Sequence, residues 1–324
     1  MNRKSLVLLI LAVIAIVLYR MAGLDFDWSL FLASLWKVQP GWFVASMLIT
    51  FLTYVSRAFR WRVLLHPLKP VRIGPLFSTN LLGFTGIFIL GRAGEVIRPL
   101  WLTRQEQIPL TASVATIIVE RFLDTLMLIA MFGWALLVVK VPATASGPLS
   151  LMKSTAWFMV ISSIVAIVLM FFFRSNVDRI VGYIPFARIG SLLKSFSEGL
   201  SFLERGSSLA MVIFHSIMLW VTIALQFWLM LIGMNFNFSF AAATLVMVGA
   251  AIGSIAQIPG IGGGFQAGYV FCMSTFFMVP AEQAIATSLL VWVCSNIPTV
   301  AATSVYMISH GLSLKDLRAA TVEQ

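Results

Sequence analysis

The chain reads as an all-α, polytopic membrane helical bundle of six full spans plus two broken or re-entrant elements, and three observations predict it. First, 60% of the 324 residues are hydrophobic and only 10% are charged. Such a composition cannot be hidden inside one water-soluble core. Second, several apolar runs approach or exceed the roughly 20 residues that a helix needs to cross a hydrocarbon core of about 30 Å. Third, two further apolar runs are punctuated by glycine and proline, which fits elements that enter and leave on one side. Eight to nine spans result if both punctuated runs cross fully. The formal charge of +10 would point to nucleic acid in a soluble chain. Here the basic residues gather in particular loops, as topology signals do, and no nucleic-acid binding is expected.

Taken in order, Arg3 and Lys4 precede an apolar run over residues 6–19 that lacks a small-x-small cleavage site. It reads as an uncleaved signal anchor with a cytoplasmic amino terminus. The following loop, residues 23–40, holds Asp25, Asp27 and Lys37 and is expected outside. After the second span, Arg57, Arg60, Arg62, Lys69 and Arg72 are read as a cytoplasmic loop, in accord with the positive-inside rule. Further spans are expected over residues 111–139, 154–173, 209–231 and 283–309. Between two of them, residues 174–205 carry Arg174, Arg179, Arg188, Lys194 and Arg205 and read as short interfacial helices. The punctuated runs are residues 74–91, with four glycines, and 241–278, with Pro259 and a glycine cluster. Residues 1–310 form one transmembrane domain, and 311–324 a short cytoplasmic tail.

Three ionisable residues, Glu120, Arg121 and Asp124, fall inside the apolar run 111–139. Each charge near a bilayer centre costs about 2.5–3.5 kcal/mol on insertion scales, so three on one helix require partners or a polar cavity. Glu120 and Asp124 are one turn apart and share a face, and Arg121 stands three residues from Asp124. Directly after the first punctuated run, Gly91-Arg92-Ala93-Gly94-Glu95-Val96-Ile97-Arg98 places two arginines beside a glutamate. A guanidinium offers a planar fork of donors to two oxygens, and glycines let backbone amides approach an anion, so a lipid phosphate suits this segment. The second punctuated run contains Gln257-Ile258-Pro259-Gly260-Ile261-Gly262-Gly263-Gly264-Phe265-Gln266. It cannot continue a helix, and its backbone groups need protein, water or substrate as partners.

These residues resemble the transmembrane region of lysylphosphatidylglycerol synthases, a flippase-like family of integral membrane proteins. The resemblance covers most of the chain. It rests on Arg92, Gly94, Glu95 and Arg98, on Glu120-Arg121 with Asp124, on the Pro-Gly-Ile-Gly run from Pro259, and on Arg57 with Arg60-Trp61-Arg62, similar to the family's first cytoplasmic loop. It implies translocation or binding of an anionic phospholipid or lipid-linked intermediate, with Arg92, Glu95, Arg98, Glu120, Arg121, Asp124, Gln257, Pro259, Gly260, Gly262, Gly263 and Gln266 as substrate-binding residues. Members often carry proline in place of Gly91 and an acidic residue in place of Gln266. The family's aminoacyl-transferring half is a separate soluble domain that these 324 residues do not contain, so lysine transfer by this chain alone is not expected.

The expected setting is the cell inner or plasma membrane, with anionic membrane lipids as partners and a lipid-biosynthesis enzyme as a further one. No cofactor is expected: His66, His215 and His310 are far apart, no metal-ligand spacing or nucleotide fingerprint occurs, and Cys272 and Cys294 sit in apolar runs as packing residues. Trp28, Trp36, Trp42, Trp61 and Trp101 are expected as interfacial anchors. Two alternatives remain: an intramembrane transferase using Glu120 or Asp124 on a lipid phosphate, and a non-catalytic scaffold for a lipid-synthesis enzyme.

Overall fold

A computed structural model describes residues 26–140, 146–200, 205–258 and 262–312. The signal anchor and, from residue 313 onward, the carboxyl-terminal tail expected from the sequence lie outside these residues. The described chain is an all-α polytopic bundle of eleven α-helices. In chain order these are α1 Trp28–Trp36, α2 Pro40–Leu65, α3 Ile73–Leu90, α4 Ile97–Glu106, α5 Leu110–Val138, α6 Ser146–Gly182, α7 Ala187–Gly199, α8 Gly206–Gly233, α9 Phe240–Gly253, α10 Gly264–Phe277 and α11 Ala281–Ser309. Local chemistry marks their ends. The Asp27 carboxylate accepts from the Leu30 N–H to cap α1, Pro40 starts α2, and the Ser239 hydroxyl accepts from the Ala242 N–H to cap α9.

Five helices, α2, α3, α5, α8 and α11, are long and apolar enough to cross a membrane. The contacts between them separate crossing helices from returning ones. Helices α2 and α8 run antiparallel over their whole lengths: the Gln39 N–H donates to the Gly233 carbonyl at one end, and Thr53 meets Thr222 at 3.2 Å further along. Helix α3 instead folds back. The chain turns at Gly91, where φ is 65°, passes through one 3₁₀ segment, Gly91–Val96, and returns as α4 along α3. The Lys69 ammonium, just before α3, donates to the Glu106 carbonyl at the end of α4, 2.6 Å away. This pair is therefore a re-entrant hairpin opening on the end that carries the exposed Arg62, Lys69, Arg72 and Arg104, here termed the basic end.

Helices α9 and α10 form a second hairpin that opens on the opposite end, where Phe238 and Phe277 stack with ring centroids 4.6 Å apart. Each has 14 residues, about 21 Å at the helical rise and too short to cross. Their contact is made of glycine: a methyl on Gly249 or Gly268 would run into the other's carbonyl, and the same holds for Gly253 and Gly264. Between helices in lipid, where there is no hydrophobic drive, such close backbone approach supplies the packing. At the tip, Gln257–Ile258 pairs with Gly262–Gly263 as a two-residue antiparallel ladder.

The structure alters four sequence expectations. Residues Arg57, Arg60 and Arg62 belong to the last turns of α2 and not to a loop. Of these only Arg62 faces outward, because Arg57 and Arg60 share a helical face with Tyr54 and Leu64. Trp61 is not an interfacial anchor. It is fully buried, and its indole N–H donates to the Thr116 hydroxyl at 3.1 Å. Of the four glycines in residues 74–91, three lie within regular helix, and the break falls at Gly91 alone. Finally, α6 continues past residue 173 through Arg174 and Arg179, leaving α7 as the short helix of that segment, tied back by Arg174 donating to the Ser197 hydroxyl at 2.9 Å. Outward-facing Trp157, Phe158, Ile161, Val168 and Phe172 give α6 an apolar, lipid-compatible surface.

Candidate functional site

The ionisable residues of α5 face the interior, where α2, α4 and α8 bring partners to them. Glu120 lies ten residues into α5, about 15 Å along its axis. Its side chain is inaccessible, and each carboxylate oxygen accepts from a different arginine: Oε1 from Arg60 Nη2 at 2.9 Å, Oε2 from Arg98 Nη2 at 2.8 Å. Arg60 also donates Nη1 to Asp124 Oδ1 at 2.7 Å and to the Ser216 hydroxyl at 3.3 Å. The Trp220 indole N–H donates to the same Asp124 oxygen at 3.3 Å. Charge-assisted bonds of this kind let buried charges persist in a region of low dielectric.

Around this centre, four guanidiniums face two carboxylates. Arg57 reaches Glu120 and Asp124 only at 3.9 Å, beyond hydrogen-bonding distance. Arg121 lies 3.6 Å from Asp124 and 3.9 Å from Glu120, and 39% of its side chain is accessible. Arg60 and Arg98 are thus bonded to carboxylates inside the cluster, whereas Arg57 and Arg121 stand at its edge with long contacts; with Glu95 on the adjoining cavity wall, the described residues set four guanidiniums against three carboxylates.

That edge borders a cavity of about 220 Å³. The turn of the first hairpin borders it with Phe84, Thr85, Gly91 and Glu95, and the second hairpin contributes Ser254, just after α9. Tyr54 of α2, Arg121 of α5, and Asn296 and Thr299 of α11 complete the wall. Helix α11 bends its hydrogen bonding here, since Pro298 has no N–H to offer the Cys294 carbonyl. The Thr50 hydroxyl of α2 donates to that carbonyl instead, at 2.9 Å.

The residues expected from sequence fall into three groups. Glu95 and Arg121 line the cavity, and Arg98, Glu120 and Asp124 form the buried cluster beside it. Gly262, Gly263 and Gln266 sit at the tip of the second hairpin, outside the cavity wall, with the Gln266 amide folded over Gly262. The side chains of Arg92 and Gln257, and all of Pro259 and Gly260, lie outside the described residues. Sequence reasoning left Arg57 and Arg60 out of the site. A basic run near a helix end looks the same whether it fixes topology or enters a cluster; the distinguishing signal was their three-residue spacing, in phase with Tyr54, Trp61 and Leu64.

Close packing sets the cluster's geometry. A methyl group on Gly83 of α3 would occupy the space of the Arg98 side chain, and one on Gly94 would strike the backbone at Gly86. The first hairpin is thereby drawn tight enough for Arg98 to reach Glu120, with its guanidinium carbon 4.5 Å from the Trp61 ring centroid.

A search of curated proteins gave no match. The family model for the lysylphosphatidylglycerol synthase TM region matches residues 7–302, a stretch that contains both hairpins, the arginine–carboxylate cluster and the cavity. This multi-pass membrane protein belongs to the lysylphosphatidylglycerol synthase TM region family.

Proposed function

We propose that the protein binds the anionic headgroup of a phospholipid or lipid-linked intermediate at the cavity beside the turn of the first hairpin and moves it between leaflets, with the acyl chains left in the bilayer. The observation that carries this reading is that Arg121 lines the cavity and Arg57 stands behind it with only long contacts to carboxylates, one guanidinium remaining in excess among the described residues after Glu95 is counted. Cations held only by long contacts within a membrane-spanning bundle are costly, and an anionic ligand offsets the cost. The turn of the first hairpin, at Gly91 and Glu95, places irregular backbone where it lines a polar site, and Ser254 at the end of α9 faces it from the second hairpin. A transferase would need a free carboxylate as base. Both Glu120 oxygens already accept from arginines, which weighs against Glu120 in that role, while Asp124 keeps one oxygen without a hydrogen bond. In the cell inner membrane the exposed basic end would face the cytoplasm.

The test is leaflet exchange by the purified protein in liposomes, using headgroup-matched fluorescent lipids and a membrane-impermeant quencher. Faster exchange of phosphatidylglycerol than of phosphatidylcholine is expected. Folded protein that accelerates neither lipid would reject the proposal.

A further inference from the structure

The cavity wall contains an aromatic ring whose surroundings are those of an anion. Phe84, half-buried on α3, presents one side to the cavity beside Tyr54, with which it packs edge to face at 5.4 Å. Its ring centroid lies 4.5 Å from the guanidinium carbon of Arg57 and 5.4 Å from that of Arg98. The face of an aromatic ring carries the negative lobes of its quadrupole, so it attracts both cations, although far more weakly than a full charge would.

The two arginines are not satisfied by the rest of the cluster. Arg57 Nη1 and Arg98 Nε are buried without any hydrogen-bond partner. Such donors are costly to leave unmade, and two of them belong to the guanidiniums that flank one ring. Arg57 Nη1 faces the two carboxylates across 3.9 Å, so a tetrahedral phosphate centred where the ring now lies would meet the guanidiniums of Arg57 and Arg98 through their other donors or after a side-chain rotation. No carboxylate hydrogen-bonds Arg57. The cavity next to the ring provides the space into which it can swing.

We propose that Phe84 is a placeholder in a phosphate subsite built by Arg57 and Arg98, which a phosphate group enters when the ring swings out into the cavity. The subsite deepens the reading of the protein as a carrier of anionic lipids and rests on it. Arg121, already accessible, meets the incoming group first. Arg57 and Arg98 hold it next, behind the position of the ring. The phosphate can belong to a lipid headgroup or be a free ion, since two guanidiniums and buried N–H donors recognise either.

The placeholder predicts a change of unusual sign. Removing a residue that contacts a ligand, or one that only supports the fold, weakens binding. Removing a placeholder strengthens it, because the incoming anion no longer displaces a ring that favours the closed site. Phe84→Leu keeps the apolar bulk and removes the π face; Phe84→Ala also clears the space. Native mass spectrometry of the full chain in non-ionic detergent would measure binding of phosphatidylglycerol, phosphatidylcholine and inorganic phosphate. Phe84→Leu is expected to bind phosphatidylglycerol about tenfold more tightly than the parent, equivalent to about 1.4 kcal/mol. Tighter inorganic phosphate binding alone would assign the subsite to the free ion.

Location is read by phenylglyoxal labelling of arginines with peptide mass analysis, Arg121 serving as the internal reference. Arg57 and Arg98 should label slowly in the parent and faster in Phe84→Leu, and the phosphate source that binds should protect them again. Unchanged or weaker binding in Phe84→Leu, or unaltered labelling of Arg57 and Arg98, overturns the placeholder. If Phe84→Ala does not fold, Phe84→Leu alone decides. Failure here is distinct from failure of the transport reading. Tight binding with protected arginines but no leaflet exchange keeps the subsite and removes transport, whereas exchange with weaker Phe84→Leu binding keeps transport and removes the placeholder.

Discussion

Glu120 and Asp124 look alike in the sequence, one turn apart on the same helix, yet the structure predicts that their amide variants differ several-fold in cost. Both Glu120 oxygens accept from guanidiniums, Arg60 at 2.9 Å and Arg98 at 2.8 Å, in a side chain with no exposure. Glutamine has one acceptor and an NH₂ group, so one arginine would be met by a donor, and two buried guanidiniums would lose their shared counter-charge. Removing one partner from a buried pair costs about 3–5 kcal/mol, and Glu120→Gln is expected in that range. Asp124 accepts through Oδ1 only, from Arg60 and Trp220, while Oδ2 has no hydrogen-bond partner. Asparagine can keep its carbonyl at the Oδ1 position, and its NH₂ then faces Arg121 and Arg57 across 3.6 and 3.9 Å, beyond hydrogen-bonding distance. The loss for Asp124→Asn is then about 1–2 kcal/mol, that of a weakened charge-assisted bond. Reversible unfolding in mixed micelles, titrated with a denaturing detergent, gives both values on one scale. Glu120→Gln no more destabilising than Asp124→Asn would refute the assignment of partners.

Further predictions concern the scaffold. Thr50→Val leaves the buried Cys294 carbonyl without its donor and should cost about 1–3 kcal/mol; in a Pro298→Ala background, where the helix supplies its own N–H, most of that cost should vanish in a double-mutant cycle. Gly268→Ala presses a methyl against the Gly249 carbonyl, which cannot yield as a side chain can, so the loss should reach about 1–3 kcal/mol by the same unfolding assay. Gly83→Ala should behave as Arg98→Ala does, each costing about 3 kcal/mol, because the added methyl takes the space of Arg98 and breaks its pair with Glu120. A Gly83→Ala protein as stable as the parent would show that Arg98 has another route to Glu120.

Much of this architecture was legible in the residues. The cost of charge in lipid forces Glu120, Arg121 and Asp124 to find partners, and they do. Glycine and proline in apolar runs marked the turn of each hairpin, although the return arm of the first, Ile97–Glu106, lies beyond residues 74–91, and the individual glycines serve differently than their spacing alone indicated. Gly83 and Gly86 do not break α3; they let Arg98 and Gly94 approach it. Gly249 and Gly268, unremarkable in sequence, hold the second hairpin together because their partners are 19 residues apart in the chain. Arg57, Arg60 and Trp61 were misread for one physical reason: near a helix end, hydropathy cannot distinguish a basic residue that stays in the headgroup region from one that turns inward. Which side it takes depends on the carboxylates of α5, some 60 positions away, and no local pattern contains that.

If arginine charge held by long contacts at the cavity moves an anionic headgroup, Arg121→Ala tests it most directly. Arg121 is 39% accessible and forms only long ion pairs, so its removal should change stability by no more than about 1 kcal/mol. Leaflet exchange of phosphatidylglycerol should nevertheless be lost in the folded variant. Exchange by Arg121→Ala at the parental rate would contradict the account.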